Sequence, residues 1–205
     1  PAEQKLQNYI FDTWRKVCLS FGFEEYNGPF LEPFELYAAK SGQELVNEQL
    51  YYFEDRGGRK IAIRPEMTPT VARLIAQKSK SLPKPLKWFS VAQFWRYEKP
   101  QRGRTREFFQ LNADIFGETW VLSDFEVFSL GAAIMKSLGA TPEMYEIRVN
   151  NRLFMDFLLT KIVGLSPTQK QPVTRLIDRK AKMESQQFNE TLIETTKVTS
   201  AQVKN

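Results

Sequence analysis

The sequence predicts an α+β fold in which an antiparallel sheet is flanked by helices. Three observations carry that expectation. Residues 2–20 place Leu6, Ile10, Trp14 and Val17 three or four apart, the stripe of an amphipathic helix. Gly57-Gly58 separates two strand-like runs, residues 50–54 and 59–64, a hairpin signal. Phe94 to Gly117 reads as a longer hairpin: an apolar strand, an eight-residue loop from Lys99 to Arg106, and a strand that is polar on one face only.

Taken in order, the first helix runs from Ala2 to Ser20 and ends at Gly22. A short strand over 23–26 leads into Gly28-Pro29 and the apolar pair Phe30-Leu31. Pro33 opens a short helix to about Lys40. After the Gly57-Gly58 hairpin, Pro65 stops the strand, and Thr68 caps a helix with Pro69 at its first position, running to about Lys78. The turn Leu82-Pro83-Lys84-Pro85 delivers the first arm of the long hairpin. Beyond Gly117 the pattern gives a helix over about 121–138 ending at Gly139, a strand over 144–149 and a helix over 152–163. From Ser166 the chain becomes helical and polar, which sets a domain boundary between Gly164 and Thr168 and divides the chain into residues 1–164 and 165–205. Residues 195–205 have weak periodicity and read as a mobile end.

Missing residue types narrow the chemistry. The chain of 205 residues contains no histidine, so imidazole general-base catalysis, Ser-His triads and His-ligated zinc are excluded within it. A single cysteine, Cys18, can form neither an intrachain disulfide nor a thiolate zinc site, and fits a reducing compartment. No apolar run approaches the ~20 residues needed to span a bilayer, and no secretory signal stands at this N-terminus. Net charge is +5, most of it from Leu165 onward, which permits a nucleic-acid partner without demanding one. Chemistry here must run on Arg, carboxylates, amides and bound ligands.

The long hairpin supplies such groups. Alternation puts Phe108, Gln110, Asn112 and Asp114 on one face of the outgoing arm, and Glu107, Phe109, Leu111, Ala113 and Ile115 on the other, apolar face. Arg96 and Glu98 share a face of the incoming arm. The loop carries Lys99, Arg102, Arg104 and Arg106; arginine suits bidentate phosphate contacts. A solvated hairpin with a basic turn would explain the cations alone. It does not explain Phe108 among polar neighbours, or a carboxylate a short strand away from the Arg cluster. Together they suit a polyphosphate at the tip and a small polar molecule along the side. A second cluster, Arg64, Glu66 and Thr68, stands where a strand meets a helix N-terminus. Glu66 there serves either the helix dipole or, with Thr68, a ligand ammonium group, each charged hydrogen bond contributing about 1.5–3 kcal/mol.

These segments resemble the class II aminoacyl-tRNA synthetases, and within them the histidine-type family. GFEEYNGPFLEP is similar to the end of motif 1, FWRYEKPQRGRTREFFQ to motif 2, and RPEMTPTVAR and FFQLNADIFG to the histidine-pocket segments. VTRLIDRKAKM resembles, more weakly, the start of the family's inserted helical domain. The resemblance implies a class II synthetase-type antiparallel sheet in residues 1–164, with the start of that insertion in 165–205. It implies ATP as substrate, with Mg²⁺ arriving on the nucleotide and no metal ligand in this chain. Arg96 would hold the α-phosphate and be the catalytic residue. Glu98 would meet the adenine edge and Phe108 would stack on its face. Arg104 and Arg102 would face the outer phosphates. Glu66, Met67, Thr68, Gln110 and Asp114 would form the histidine pocket, with Asp114 toward the imidazole; the family places an acidic residue there, sometimes Glu. Further implied are tRNA(His), a homodimer through the motif 1 region, a cytoplasmic location and no membrane.

The family also has a histidine-specific loop, a motif 3 helix with another ATP-binding Arg, and an anticodon-binding domain, none visible in these residues. The chain therefore reads as an N-terminal portion, expected to support little or no histidine-dependent ATP–pyrophosphate exchange alone. Two other readings use the same scaffold: a regulatory paralogue of histidine biosynthesis, and a tRNA-sensing domain without aminoacylation. A generic RNA-binding module is a third, but it leaves the ligand-sized polar face unexplained.

Overall fold

The computed structural model describes residues 1–39, 48–99, 102–180 and 183–196. The expected end of the second helix near Lys40, loop residues 100 and 101, and the tail 197–205 lie outside them. The chain packs into two compact units, Pro1–Ile147 and Arg148–Asn205.

The first unit holds α1 (Ala2–Ser20), β1 (Glu24–Glu25), β2 (Leu31–Pro33), α2 (Phe34–Ala38), β3 (Tyr52–Glu54), β4 (Lys60–Ile63), α3 (Thr68–Lys78), β5 (Leu86–Trp95), β6 (Glu107–Phe116) and α4 (Val121–Ser137). The strands form two three-stranded sheets, ordered β1-β5-β6 and β2-β4-β3. All pairings are antiparallel except β1 with β5, which is parallel. The sheets are joined through the backbone: Trp95 N donates to Arg64 O at 3.3 Å and Tyr97 N to Gln49 O at 2.8 Å.

The long hairpin pairs Phe94 with Phe108, Ala92 with Gln110, Ser90 with Asn112 and Trp88 with Asp114. Directly opposed residues share a face. One face therefore carries Trp88, Ser90, Ala92 and Phe94 beside Phe108, Gln110, Asn112 and Asp114. The other buries Phe89 against Val17, Cys18, Phe23 and Leu130, with Val91, Leu111, Ala113 and Ile115 packed around them. The helices α1 and α4 thus cover the apolar face, where burying one such side chain contributes roughly 1.5–3 kcal/mol. Phe109 stays partly exposed against Phe11, ring centres 4.9 Å apart. Lys87 pairs with Glu126 across the same layer. Burial raises the Cys18 thiol to about 11, with the Glu25 charge adding to the effect, so it is an inert core residue.

Three expectations need correction. Thr68 is the first helical residue, not the cap; Met67 holds the N-cap position and no side chain caps it. Proline fits the first turn one position later just as well, because no N–H there needs a partner. The strand expected over 144–149 is absent: a 3₁₀ turn, Pro142–Met144, is followed by residues 145–150 with no regular structure. A strand needs a neighbour to satisfy its backbone, and no described strand pairs with this stretch. The first strand is also shorter than expected, two residues inside 23–26.

The second unit contains α5 (Arg152–Phe157), a wider π-turn segment (Leu158–Ile162), α6 (Pro167–Arg179) and α7 (Ser185–Thr196). Ser166 and Gln169 form a capping box at the start of α6. Leu159, Leu165 and Val173 form its core with Ile177 and Leu192. Because that cluster spans both sides of Gly164, the packing boundary falls at Ile147, earlier than the change in composition.

Candidate active site

The polar face of the long hairpin is assembled from four chain segments. Arg96 leaves the end of β5 and turns back over it. Its Nε donates to Pro65 O at 2.9 Å, and its Cζ lies 5.3 Å from the centre of the Phe108 ring. Arg96 and Phe108 therefore share one side of the sheet. Beneath them Met67, Ala92 and Phe94 are buried, with Tyr26 and Phe108 packed against the cluster. Met67 has no exposed surface and serves as floor to this face.

Glu98 is held between two cations: its carboxylate lies 4.0 Å from Arg96 and 3.3 Å from Arg104. Arg104 is more than half exposed, so an incoming phosphate would compete with Glu98 for it. Arg102 is exposed at the tip. Arg106 stacks over Tyr97 at 4.0 Å and donates to Glu98 O, stapling the loop base. Farther down the same face, Gln110 donates to Asn112 Oδ1 at 2.9 Å. Asp114 follows, with Oδ2 sealed from solvent and no hydrogen-bond partner. Burial accordingly raises its carboxyl above the usual range.

The second cluster arrives through a buried arginine. Arg64 is 1% exposed, and among the described residues no carboxylate pairs with it. Its Nε donates to Gln93 O and its Nη1 to Gly28 O, at 2.9 and 2.7 Å. Phe30 and Phe94 cover its faces at 4.1 and 5.3 Å. Gly28 is needed there, since a Cβ would stand 2.7 Å from Thr70 Cγ2. Arg64 thus fixes the strand end whose next residue, Pro65, holds Arg96. Glu66 and Thr68 follow, lining a hollow with Leu36, Pro69 and Arg73. The hydrogen bond from Arg96 Nε to Pro65 O joins this segment to the hairpin.

The sequence reading missed two hydroxyls. Tyr26 Oη and Ser90 Oγ are sealed from solvent, like Asp114 Oδ2, and the phenol sits beside the Ser90 hydroxyl. A signal existed for Ser90, a polar residue inside an apolar strand, on the face shared with Asp114. Tyr26 gave none, because its place depends on the parallel pairing of β1.

Among the described residues no group of three or more acidic or cysteine side chains could hold a metal ion. No described helix is long and apolar enough to cross a membrane.

The fold matches solved structures of synthetases. One is histidyl-tRNA synthetase from Nostoc sp. PCC 7120, with TM-score 0.80 and 24% identity over 98% of this chain and 44% of that one. Another is an ATP phosphoribosyltransferase regulatory subunit/histidyl-tRNA synthetase from Bacillus halodurans C, with TM-score 0.80 and 22% identity over 98% of this chain and 50% of that one. At such identities the likeness concerns the fold, which is that of the class II aminoacyl-tRNA synthetases. Sequence carries the assignment further. The histidyl-tRNA synthetase family model matches residues 1–203, and the histidine–tRNA ligase of Leptospira biflexa is 42% identical over 188 residues, 92% of this chain. The chain belongs to the histidyl-tRNA synthetase family. It spans 43% of the length of that relative.

Proposed function

We propose that this chain supplies the ATP-binding hairpin and much of the amino-acid pocket of a histidine–tRNA ligase. The observation that carries the reading is the placement of Arg96 and Phe108 on one face, 5.3 Å from guanidinium to ring. That pairing suits a nucleotide whose base stacks on Phe108 while its α-phosphate meets Arg96. Glu98 then meets the adenine edge, and Arg102 and Arg104 meet the outer phosphates. Glu66, Thr68 and Gln110 receive the ammonium group, over the floor made by Met67. Asp114 faces the side chain. In this reading residues 1–164 belong to the catalytic core and 165–205 begin an inserted helical domain.

The chemistry needs no protein nucleophile. An oxygen of the histidine carboxylate attacks the α-phosphorus, the bond to the bridging oxygen breaks, and pyrophosphate leaves with its electron pair. Arg96 neutralises charge gathering on the α-phosphoryl oxygens, so the protein contributes positioning and electrostatics. Mg²⁺ would come with the nucleotide as part of the substrate and would supply further charge neutralisation. A hydroxyl oxygen of the terminal ribose of tRNA(His) then attacks the carbonyl carbon of the adenylate, the bond to the phosphate oxygen breaks, and AMP leaves as the hydroxyl gives up its proton. We place this activity in the cytoplasm. Exposed Phe30 and Leu31 at the edge strand β2 support a homodimer formed through the motif 1 region.

Histidine-dependent ATP–pyrophosphate exchange by the complete ligase tests the reading: exchange with histidine and not with other amino acids is expected, and its absence would refute it. A regulatory paralogue is the second reading, because one neighbour in fold bears both names. Titration of ATP separates the two, since a regulator freed from adenylation has no need of the Arg96–Phe108 arrangement.

Asp114→Asn is expected to weaken histidine binding about tenfold or more, by loss of a charged hydrogen bond, with ATP affinity retained. It should also stabilise the unliganded protein. The folded carboxyl titrates above its unfolded value, so the folded state binds more protons, and stability falls as pH rises through that window. The variant's advantage should thus be present at neutral pH, about 1 kcal/mol for one unsatisfied group, and close on acidification. Thermal melts at neutral and acid pH check it; equal losses of both ligands would make Asp114 structural.

A further inference from the structure

Residues 66–68, which take the substrate ammonium group in the ligase reading, run directly into α3, and no side chain caps that helix. Its first two turns are held instead by two bonds that reach out of the helix. Thr70 and Tyr37, both fully buried, share a hydroxyl–hydroxyl hydrogen bond at 3.2 Å. Arg73 Nη2 donates to Glu32 Oε1 at 2.6 Å, and Glu32 is 3% exposed on the edge strand β2. The two bonds belong to one polar cluster, since the Tyr37 phenol lies in the field of both Glu32 and Glu66.

A buried ion pair is a poor means of stabilising a fold. Removing both charges from water offsets most of their attraction, and an apolar pair of similar volume often serves stability as well. What the pair adds is a fixed geometry. We propose that Glu32 and Arg73, with Tyr37 and Thr70, are positioning residues that hold Glu66 and Thr68 where an amino-acid ammonium group needs its acceptors. This rests on the ligase reading above and goes beyond it by naming groups that touch no substrate.

The arrangement suits that role. Thr70 and Arg73 are three residues apart and so share a face of α3. The helix cannot roll about its axis without straining both bonds. Close packing on Gly28, where a Cβ would lie 2.7 Å from Thr70 Cγ2, limits movement further. The nucleotide end is held separately: Arg96 hangs on Pro65 O, and the neighbouring Arg64 is tied to Gly28 O and Gln93 O. Loosening the Glu32–Arg73 pair should therefore disturb the amino-acid end and spare the nucleotide end. Small displacements suffice, because binding of a charged donor depends on where its acceptors stand.

The experiment is histidine-dependent pyrophosphate exchange by the complete ligase carrying Glu32→Leu together with Arg73→Met, which replaces the ion pair by an apolar pair. We expect the histidine KM to rise about tenfold, the ATP KM to hold, and the melting temperature to stay close to that of the unaltered ligase. Glu32→Gln keeps an acceptor for Arg73 and should hold the histidine KM within about twofold. If the double variant does not fold, Tyr37→Phe decides: it removes one hydroxyl, keeps the ring in the core, and should raise the histidine KM about threefold with the ATP KM unchanged. An unchanged histidine KM in folded variants, or equal rises for both substrates, would overturn the proposal while leaving the ligase reading intact. So would a rise in Glu32→Gln as large as in the double variant, since charge rather than geometry would then be at work. No exchange with histidine by the unaltered ligase would overturn both.

Discussion

Arg96→Ala is expected to lower the rate of histidyl-adenylate formation by about 10²–10³-fold, the scale set by removing one preorganised charged donor from a developing oxyanion. The structure makes the loss specific. The guanidinium is anchored through Nε to Pro65 O and lies over the Phe108 ring, so its remaining N–H groups are already oriented before substrate arrives. Stability should change little, by ~1 kcal/mol for one hydrogen bond from a partly exposed side chain. Arg96→Lys should not rescue the rate, because an ammonium cannot keep the Pro65 contact and present a planar fork together. Single-turnover adenylation alongside thermal melts separates the two effects. Collapse of the melting temperature with full activity per folded molecule would remove Arg96 from the chemistry.

The largest effect on stability is expected at Arg64. Arg64→Ala should destabilise the protein by about 3 kcal/mol, combining two orphaned carbonyls and a cavity between aromatic rings. Gly28 O and Gln93 O would lose their donors, and Phe30 and Phe94 would lose the group between them. The same change should loosen Pro65 and hence Arg96, so ATP affinity falls in whatever fraction remains folded. Arg64→Met separates packing from hydrogen bonding: it refills the volume but leaves both carbonyls unmet, and should recover only part of the loss. Chemical denaturation measures both variants, and a loss below about 1 kcal/mol for Arg64→Ala would show that the buried guanidinium does not hold the junction.

Much of this was legible in the sequence because it rests on local rules. The stripe Leu6-Ile10-Trp14-Val17 gave α1 with the bounds observed. Period-two alternation along β6 put Phe108, Gln110 and Asp114 opposite the apolar face, and the pairing of β5 with β6 confirms that division. What failed depends on distant partners. Residues 144–149 have strand-like composition, but pairing is a property of two segments, and no described neighbour is present. Arg64 reads as a polar residue at a junction, yet its burial is decided by carbonyls from residues 28 and 93. Tyr26 packs on Trp88 because β1 runs parallel to β5, a pairing between segments more than sixty residues apart.

The central claim is that one face of the long hairpin holds nucleotide and amino acid together. A crystal structure of the complete ligase with a non-hydrolysable histidyl-adenylate analogue tests it most directly. The account predicts adenine stacked on Phe108, the phosphate mimic at Arg96 and the imidazole directed to Asp114. Adenine bound away from Phe108, or an imidazole pointing out of this face, would contradict it.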